Sequence, residues 1–362
     1  FMSPTTLPLP WQPPVLHADF KSTPNDFIVT EILDIEHSGN GEHLWLHITK
    51  INLNTTYVVK LLANWASVPM RDVGYSGLKD RHAITHQWFS IRLPTKAIPK
   101  TSLENFAKAY LNDDESFILN HLIWHSRKLN RGTHKYNHFA IRLRHLNGDI
   151  NTIDETLERI KSGGVPNYFG EQRFGIDGKN LDKAHSFFES QLMSDQPYRP
   201  HKKFAEKDGL MISAARSALF NAMLGKRVAD GTWNQALLGD VFNLEGTGSI
   251  FQNMPTDDVK TRIKQCDIHP TAPLIGIGDR RDCGSVRMLY DTLLNHHHNQ
   301  TLYQGLIKIG AKLAYRPLRL MVYDLTWNRS GDELYLEFRL PKGAFATVVI
   351  SMIAQEYQSK DS

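Results

Sequence analysis

Apolar and polar residues alternate in two segments near the start of the chain. "DFIVTEILD" (residues 26–34) and "HLWLHITKI" (43–51) alternate in the manner of half-buried strands, which predicts two β-strands. The Gly- and Asn-rich "HSGNGE" (37–42) between them predicts a turn. We therefore expect a β-hairpin whose second strand has Leu44, Leu46 and Ile48 on one face.

A helical pattern follows this predicted hairpin. Apolar residues at 57, 58, 61, 62 and 65 would lie on one side of a helix, and Asn54 is suited to begin it. "HQWFSIRL" (86–93) and "HFAIRLRHL" (138–146) predict two further strands.

The pattern becomes mainly helical after residue 152. Four segments predict helices, with one short strand in "GDVFNLEG" (239–246) among them: "TIDETLERIKSG" (152–163), "LDKAHSFFES" (181–190), "SAARSALFNAMLGKRV" (213–228) and "VRMLYDTLLNHHH" (286–298). Two strands are predicted after residue 314, in "PLRLMVYDLTWNR" (317–329) and "ELYLEFRL" (333–340), followed by an amphipathic helix in "AFATVVISMIAQEY" (344–357). This order predicts a discontinuous α/β (α+β) domain, residues 1–155 and 306–362, interrupted by an inserted domain, residues 156–305.

The composition is that of an ordinary globular protein. Of the 362 residues, 41% are hydrophobic and 22% are charged, and no apolar run approaches the roughly 18 residues that span a bilayer. The two cysteines, Cys266 and Cys283, are too few for a disulfide framework and lack metal-site spacing. We therefore expect a cytoplasmic protein without a membrane segment.

Positive charge is concentrated in residues 116–148, which contain no Asp or Glu although the net charge of the chain is only +4. The window has aromatic residues between its basic ones, which are Arg127, Lys128, Arg131, Lys135, Arg142 and Arg144. Such a pattern is typical of nucleic-acid binding, but it also fits a solvated basic face. The window alone does not choose between the two interpretations.

Several segments that could indicate other chemistry are incomplete. His43 and His47 lack the order of a zinc-binding helix, and "HHH" (296–298) is expected to be a polar helix end. "GIGDRRDCG" (276–284) and "EGTGSI" (245–250) do not complete a nucleotide-binding glycine loop. We therefore predict no metal site and no nucleotide cofactor.

The segment "GYSGLKDRHAITHQWFSI" (74–91) contains an unusual density of polar chemistry. It resembles the signature of the tRNA pseudouridine synthase D (TruD) family, which reads like GxxGLKDRxAxTxQxxS. Other segments resemble the family in the same order: Lys21 with "PNDFIVTE" (24–31), "LNRGTHKYNHFAIRLR" (129–144), "VPNYFGEQRFG" (165–175) and "LPKGAFATVV" (340–349). Asn25 departs from the acidic residue that is more usual there.

The resemblance implies a fold and a reaction. The fold would be a pseudouridine synthase catalytic domain with a mixed, mainly antiparallel sheet flanked by helices, interrupted by a TRUD-type domain. The reaction would isomerise the uridine at the thirteenth tRNA nucleotide, in the D-arm, to pseudouridine. tRNA would be the partner, bound in a positive cleft between the domains, and no cofactor or metal would be needed. Separately from the resemblance, we expect a monomer.

The resemblance also implies roles for individual residues. Asp80 would be the catalytic carboxylate, attacking the base or C1′ or removing the C2′ proton, and Lys21 would be its paired charge. The base would be bound by Asn137, Phe139 and Phe345, with a core role for the two phenylalanines as the alternative. The residues expected to position the catalytic loop are Gly77, Lys79, Arg81, Thr85 and Gln87.

Candidate contacts to the RNA backbone are arginine and lysine side chains, namely Arg127, Lys128, Arg131, Arg142, Arg144 and Arg173. For Arg173 an internal salt bridge fits equally well. Two other function classes stay open: a non-catalytic tRNA-binding or RNA-folding module on the same scaffold, and an enzyme that uses a metal or nucleotide.

Overall fold

The computed structural model describes residues 7–358, which form two compact units. The sheet unit comprises residues 13–155, 322–346 and 353–358, and the helical unit comprises residues 7–12, 156–321 and 347–352. The domain limits predicted from the sequence at 155/156 and 305/306 stay predictions, and residues 1–6 and 359–362 lie outside the described part.

The first part of the chain supplies most of the strands. Its helices and strands are, in order, β1 (Val15–Asp19), β2 (Phe27–Ile32), β3 (His43–Ile51), α1 (Thr55–Ala66), β4 (Val73–Tyr75), β5 (Ile84–Arg92), α2 (Leu103–Ala107), β6 (Ser116–His125) and β7 (Tyr136–Gly148). The remaining elements are α3 (Ile153–Gly163), β8 (Val165–Pro166), α4 (Lys179–Met193), α5 (Ala205–Ala229), β9 (Val241–Leu244), β10 (Ile250–Gln252), α6 (Asp257–Lys264), β11 (Ile268–Leu274), α7 (Gly284–Leu294), α8 (Gln300–Lys308), β12 (Ala314–Pro317), β13 (Arg319–Leu320), β14 (Tyr323–Ser330), β15 (Glu333–Pro341), α9 (Ala346–Ser351) and β16 (Ala354–Gln358).

One large sheet forms the sheet unit. Within residues 7–358 it has ten strands, in the order β14-β15-β7-β2-β5-β3-β6, with β1 on β7, β16 on β1 and β4 on β5. β2 and β5 are parallel, as are β1 and β16, and the other pairs are antiparallel. The expectation of an α/β fold with a mixed, mainly antiparallel sheet is confirmed.

The core of the sheet unit lies between α1 and one face of β3 and β5. Leu44, Leu46 and Ile48 are fully buried there, as the alternation in the sequence predicts. Val58 and Leu62 of α1 pack into the same cluster. Burying side chains of this size contributes about 1.5–3 kcal/mol each, so this cluster fixes α1 beside the strands that carry the site.

The two N-terminal strands exist as β2 and β3, but the predicted hairpin between them is wrong. β5 lies between them, parallel to β2 and antiparallel to β3. Residues 33–42, which connect the two strands, are also more numerous than the about two to five residues of a usual hairpin loop. Alternation identifies a strand and its buried face, but it does not identify the neighbouring strand.

The segment predicted as mainly helical also contains a four-stranded sheet, in the order β10-β9-β11-β12. β9 falls within the predicted short strand. β11 contains Pro270 and Pro273, which hide its pattern because proline is unusual inside a strand. The single strand predicted at 317–329 is likewise divided among β12, β13 and β14, with Pro317 ending β12.

The predicted C-terminal helix is only partly correct. α9 ends at Ser351, and residues 354–358 form β16 instead. The reason is the free edge of β1, with which β16 pairs in parallel, Val15 lying opposite Ala354. The Val15 N–H also donates to the Ile353 carbonyl at 3.1 Å, which extends this pairing to the end of the helix.

Three helices, α4, α5 and α8, pack together in the helical unit. Gly305 of α8 lies against Phe188 of α4, which is fully buried. A Cβ atom at position 305 would lie 2.5 Å from the Phe188 Cβ and 2.4 Å from its ring. None of the described helices combines the length and apolar character that crossing a bilayer requires.

Gly305→Ala should therefore destabilise the protein by about 1–3 kcal/mol through overpacking. Gly209→Ala is the matched control, because Gly209 is a helical glycine of the same unit with no atom within 4 Å of the added Cβ. The control should be neutral or stabilising by up to about 1 kcal/mol, since alanine favours a helix more than glycine does. Urea unfolding followed by circular dichroism measures both, and equal effects would contradict the packing described.

Candidate active site

Residues 76–83 form the loop that carries Asp80, between β4 and β5. Thr55 and Gln87 hold the backbone of this loop. Gln87 Nε2 donates to the Gly77 carbonyl at 3.2 Å, and the Lys79 N–H donates to Thr55 Oγ1 at 3.0 Å. Thr55 Oγ1 in turn donates to Gln87 Oε1 at 3.2 Å, so that α1 and β5 fix the loop together.

A buried ion pair anchors the same loop to β2. Lys79 Nζ lies 3.0 Å from Glu31 Oε2, and the two side chains are 4% and 0% exposed. Glu31 also accepts a hydrogen bond from the Trp88 N–H at 3.2 Å. Burial raises the pKa of Glu31, and the positive charge of Lys79 opposes that rise. Lys79 therefore anchors the loop through a buried ion pair and is not the cation that pairs with the Asp80 carboxylate.

The cation beside the Asp80 carboxylate is Lys21. Its Nζ lies 3.4 Å from Asp80 Oδ1, and the two side chains are 10% and 38% exposed. The Lys21 ammonium also lies 4.5 Å from the centre of the Phe27 ring, a cation–π contact. The Lys21 backbone has φ = 56°, in the left-handed region, where a non-glycine residue is strained. The carboxylate is thus partly open to solvent while its paired ammonium is largely enclosed.

Lys50 is a second lysine at the loop, which the sequence interpretation missed. It is fully buried on β3, and its Nζ donates to the Leu53 carbonyl at 2.6 Å and to the Asp80 carbonyl at 3.4 Å. Burial lowers its pKa to about 7, Asp80 opposes this shift, and Lys79 adds to it. The signal was present in the sequence, because position 50 continues the apolar alternation of Leu44, Leu46 and Ile48.

The residues predicted to bind the base lie on strands near this loop. Asn137 of β7 is opposite Glu31, and Phe139 and Thr85 are both opposite Val29. Asn137 Oδ1 and Thr85 Oγ1 are buried and have no hydrogen-bond partner within the described part of the chain. Such unsatisfied atoms are uncommon in protein interiors and mark places where a ligand can bond.

The two phenylalanines have different environments. Phe139 is buried and packs against Phe27 and Phe338, with ring centres 5.9 and 5.5 Å apart. Phe345 is partly exposed and directly precedes α9. Phe139 therefore has the packing of a core residue, and base contacts by either ring stay predictions.

Residues 126–135 form a basic loop that is hydrogen-bonded to the Asp80 loop through Ser76. The Gly132 N–H donates to the Ser76 carbonyl at 2.8 Å, and the His134 N–H donates to Ser76 Oγ at 2.7 Å. The ring of His134 also explains Gly77, since a Cβ there would lie 2.9 Å from His134 Cε1. Burial lowers the pKa of His134 to about 4, helped by Lys79 and Lys342, so its ring is neutral at pH 7.

The predicted RNA-contact residues fall into two groups. In the basic loop, Arg127 is exposed, Lys128 donates to the Arg71 carbonyl at 2.6 Å, and Arg131 lies 3.9 Å from the centre of the Tyr75 ring. The strand arginines are instead ion-paired. Arg142 pairs with Glu333 at 2.9 Å, and Arg144 pairs with both Asp26 and Glu333 at 2.8 and 2.9 Å.

Two further predicted site residues, Arg81 of the Asp80 loop and Arg173, have contacts of their own. Arg81 is exposed and its Nε donates to the Asn52 carbonyl at 3.4 Å. Arg173 belongs to the helical unit, where its Nη1 donates to Ser213 Oγ at 2.8 Å.

Among the described residues, one group could hold a metal. It consists of the exposed His296, His297 and His298, in the turn before α8, whose ligand atoms lie within 4.8 Å of one another.

Comparison with known proteins gives one consistent family. A family model described as tRNA pseudouridine synthase D (TruD) matches residues 11–182 and 206–353. A Psychrobacter arcticus protein named tRNA pseudouridine synthase D is 41% identical, with 97% of this chain and 93% of the relative covered. A protein of the same name from Xanthomonas euvesicatoria is 39% identical, with coverage of 93% and 91%.

A solved structure supports the fold. The chain resembles the crystal structure of a Methanosarcina mazei protein assigned as tRNA pseudouridine synthase D, with a TM-score of 0.68, 19% identity and coverage of 96% of each chain. At that identity the likeness concerns the fold alone. The family match and the two sequence relatives decide the assignment, and the chain therefore belongs to the TruD family of tRNA pseudouridine synthases, an isomerase family.

Proposed function

We propose that this protein isomerises a uridine of tRNA, the thirteenth nucleotide in the D-arm, to pseudouridine, with Asp80 as its catalytic carboxylate. The tRNA position follows from the family resemblance. The observation that carries the catalytic role is the pairing of a partly exposed Asp80 carboxylate with the largely enclosed Lys21 ammonium at 3.4 Å. We also propose that it acts in the cytoplasm as a monomer.

The reaction breaks the bond between uracil N1 and C1′, forms a bond from C5 to C1′, releases the C5 hydrogen as a proton and leaves a proton on N1, so that the product is an isomer of the substrate. No electrons are exchanged with another molecule, so one ionised carboxylate near C1′ supplies the group that the isomerisation needs. A cation at hydrogen-bond distance favours the ionised form when substrate displaces water from the carboxylate. Lys21 is placed to do this whether Asp80 attacks the base or C1′ or removes the C2′ proton.

Recognition of uracil can be assigned to atoms that have no partner in the described chain. The uracil edge offers an N3–H donor and two carbonyl acceptors. Asn137 Oδ1 can accept from N3–H, and the Thr85 hydroxyl can donate to a carbonyl. A base that reaches these atoms has to leave its stack, as in other enzymes that act on nucleobases. Phe139 and Phe345 would then bound the base, and the basic loop at 126–135 would lie against the RNA backbone.

A non-catalytic RNA-binding module is less well supported by the arrangement of charges. The loop carries a buried Glu31–Lys79 pair, and the buried Lys50 contacts the Asp80 backbone. Burying charged groups costs several kcal/mol each, a cost that simple RNA binding at a surface does not require. Precise placement of one carboxylate, by contrast, is what a reaction centre requires.

Asp80→Asn should reduce pseudouridine formation by at least about 10³-fold, because the amide has no charge and is a poor base and nucleophile. Affinity for tRNA should stay within a few-fold, measured by filter binding. Release of tritium from 5-tritiated uridine in tRNA reports the reaction. Asp230→Asn is the control, since Asp230 is an exposed carboxylate of the helical unit paired with Lys226. Full activity of the Asp80 variant would end the proposal.

Lys21→Met should lower the single-turnover rate by about 10- to 1000-fold, since the carboxylate loses its paired charge. The dissociation constant for tRNA should change little. Lys226→Met, at an exposed lysine paired with Asp230, should leave both quantities unchanged. A loss of affinity with an unchanged rate would show that Lys21 contacts phosphate instead.

Lys50→Met should lower turnover while leaving tRNA affinity unchanged, and it should also change the pH dependence of stability. The Lys50 pKa of about 7 lies below its unfolded value of 10.5, so between these values the unfolded chain binds a proton that the folded chain lacks. Wild-type stability relative to the variant should therefore rise with pH, by up to about 1.4 kcal/mol per pH unit above pH 7. Urea unfolding from pH 7 to 9.5 measures this difference, and a flat difference would contradict the burial of the ammonium.

A further inference from the structure

The ring of Phe169, in the segment 165–175 of the helical unit, has two arginines beside it. The Arg316 guanidinium carbon lies 3.8 Å from the ring centre, and the Arg173 carbon lies 5.2 Å from it. Each contact is a favourable cation–π interaction. The two guanidinium groups nevertheless carry like charges around a single buried ring, so they also repel each other.

Arg316 is held by neutral groups only. Its Nε and Nη2 donate to the Asn167 carbonyl at 3.3 and 3.1 Å, and Nη2 also donates to Asn167 Oδ1 at 2.8 Å. Its guanidinium also lies 5.3 Å from the centre of the Phe220 ring. Within residues 7–358 it forms no ion pair with a carboxylate, and its Nη1 has no hydrogen-bond acceptor. The residue as a whole is half-buried.

Arg227, in the same unit, is a buried arginine that has a carboxylate partner. Arg227 is fully buried, and its Nη1 and Nη2 bond the two carboxylate oxygens of Asp240 at 2.8 and 3.0 Å. Asp240 neutralises this guanidinium completely. Burial and, after it, the charge of Arg173 lower the pKa of Arg316 to about 9, and no carboxylate of residues 7–358 pairs with its guanidinium. A buried charge without a counter-charge costs stability, which leaves this position ready for an anion.

We propose that Arg316 and Arg173 form an anion site in the helical unit and that a phosphodiester group of the bound tRNA occupies it. Guanidinium groups suit this ligand because their planar N–H donors match the spacing of phosphate oxygens. The Phe169 ring and Asn167 position Arg316 before the RNA arrives, which limits the entropy lost on binding. The site rests on the proposed tRNA substrate, but it does not rest on the role of Asp80.

A purely structural role for Arg316 predicts a different outcome. If its stacking on Phe169 only stabilised the fold, replacing it would lower stability and leave RNA binding unchanged per folded molecule. If it is an anion site, removing one of two repelling charges should leave stability equal or higher. The free energy of unfolding and the affinity for tRNA should therefore change independently of each other.

Arg316→Met, which keeps the apolar stem and removes the charge, tests the proposal. The variant should bind tRNA about 10- to 100-fold more weakly at low salt, as expected for a lost charge-assisted hydrogen bond. The slope of log affinity against log salt concentration should decrease by about 0.7–0.9. Fluorescence anisotropy of labelled tRNA at several salt concentrations measures both quantities, and the urea midpoint should be equal to or above that of the wild type.

Arg262→Met is the matched control. Arg262 is in the same unit and also stacks on an aromatic ring, Phe251 at 5.6 Å, but it is neutralised by Asp267 at 2.6 Å. Its replacement should leave the salt slope unchanged. If Arg316→Met does not fold, Arg316→Lys keeps the charge and should retain the slope of the wild type with reduced affinity.

An unchanged slope for Arg316→Met, or a slope that falls equally in the control, would overturn the anion site. Tritium release, measured in parallel, distinguishes failure of the anion site from failure of the proposed function. Normal pseudouridine formation with an unchanged slope rejects the anion site alone. Salt-dependent binding through Arg316 without pseudouridine formation rejects the isomerase proposal and leaves the anion site standing.

Discussion

The buried ion pair between Lys79 and Glu31 fixes the loop that carries the Asp80 carboxylate. It holds the loop at 76–83 on β2, while the side chain of Asp80, the next residue, stays 38% exposed. Lys21 then meets the carboxylate from the segment after β1. Lys21, Glu31 and the loop come from separate parts of the sequence, and the central position of β2 and β5 in the sheet brings them together.

Three lysines surround this loop and each acts differently because its environment differs. Lys79 is neutralised by Glu31, Lys21 faces the carboxylate, and Lys50 is buried beneath the backbone. The strained backbone of Lys21 and the depressed pKa of Lys50 are both costs to folding. Their coincidence at one loop is the physical pattern expected of a site that gives up stability for chemistry.

Much of the fold could be predicted from the sequence, and the errors have physical causes. Alternation identified β3 and its buried face, but it could not show that β5 would separate β2 from β3. Pro270 hid a strand, and β16 forms only because β1 offers it an edge. Family motifs located Asp80 and Lys21, whereas Lys50 and Glu31 were missed because their contacts span distant segments. Arg142 and Arg144 were expected to contact RNA, but they pair with Asp26 and Glu333. A basic stretch in the sequence does not reveal acidic partners that lie far away along the chain.

The position of β7 has a consequence for how the chain is made. β7 pairs with β1 and β2, and its third partner, β15, is encoded after residues 156–321, the largest segment of the helical unit. At a ribosomal rate of about 5–20 residues per second, β15 emerges roughly 10–40 seconds later. Throughout that interval the nascent sheet has an unpaired edge at β7, the type of surface to which other chains can add. While residues 149–332 are being synthesised, a holding chaperone could therefore shield the unpaired edge of β7.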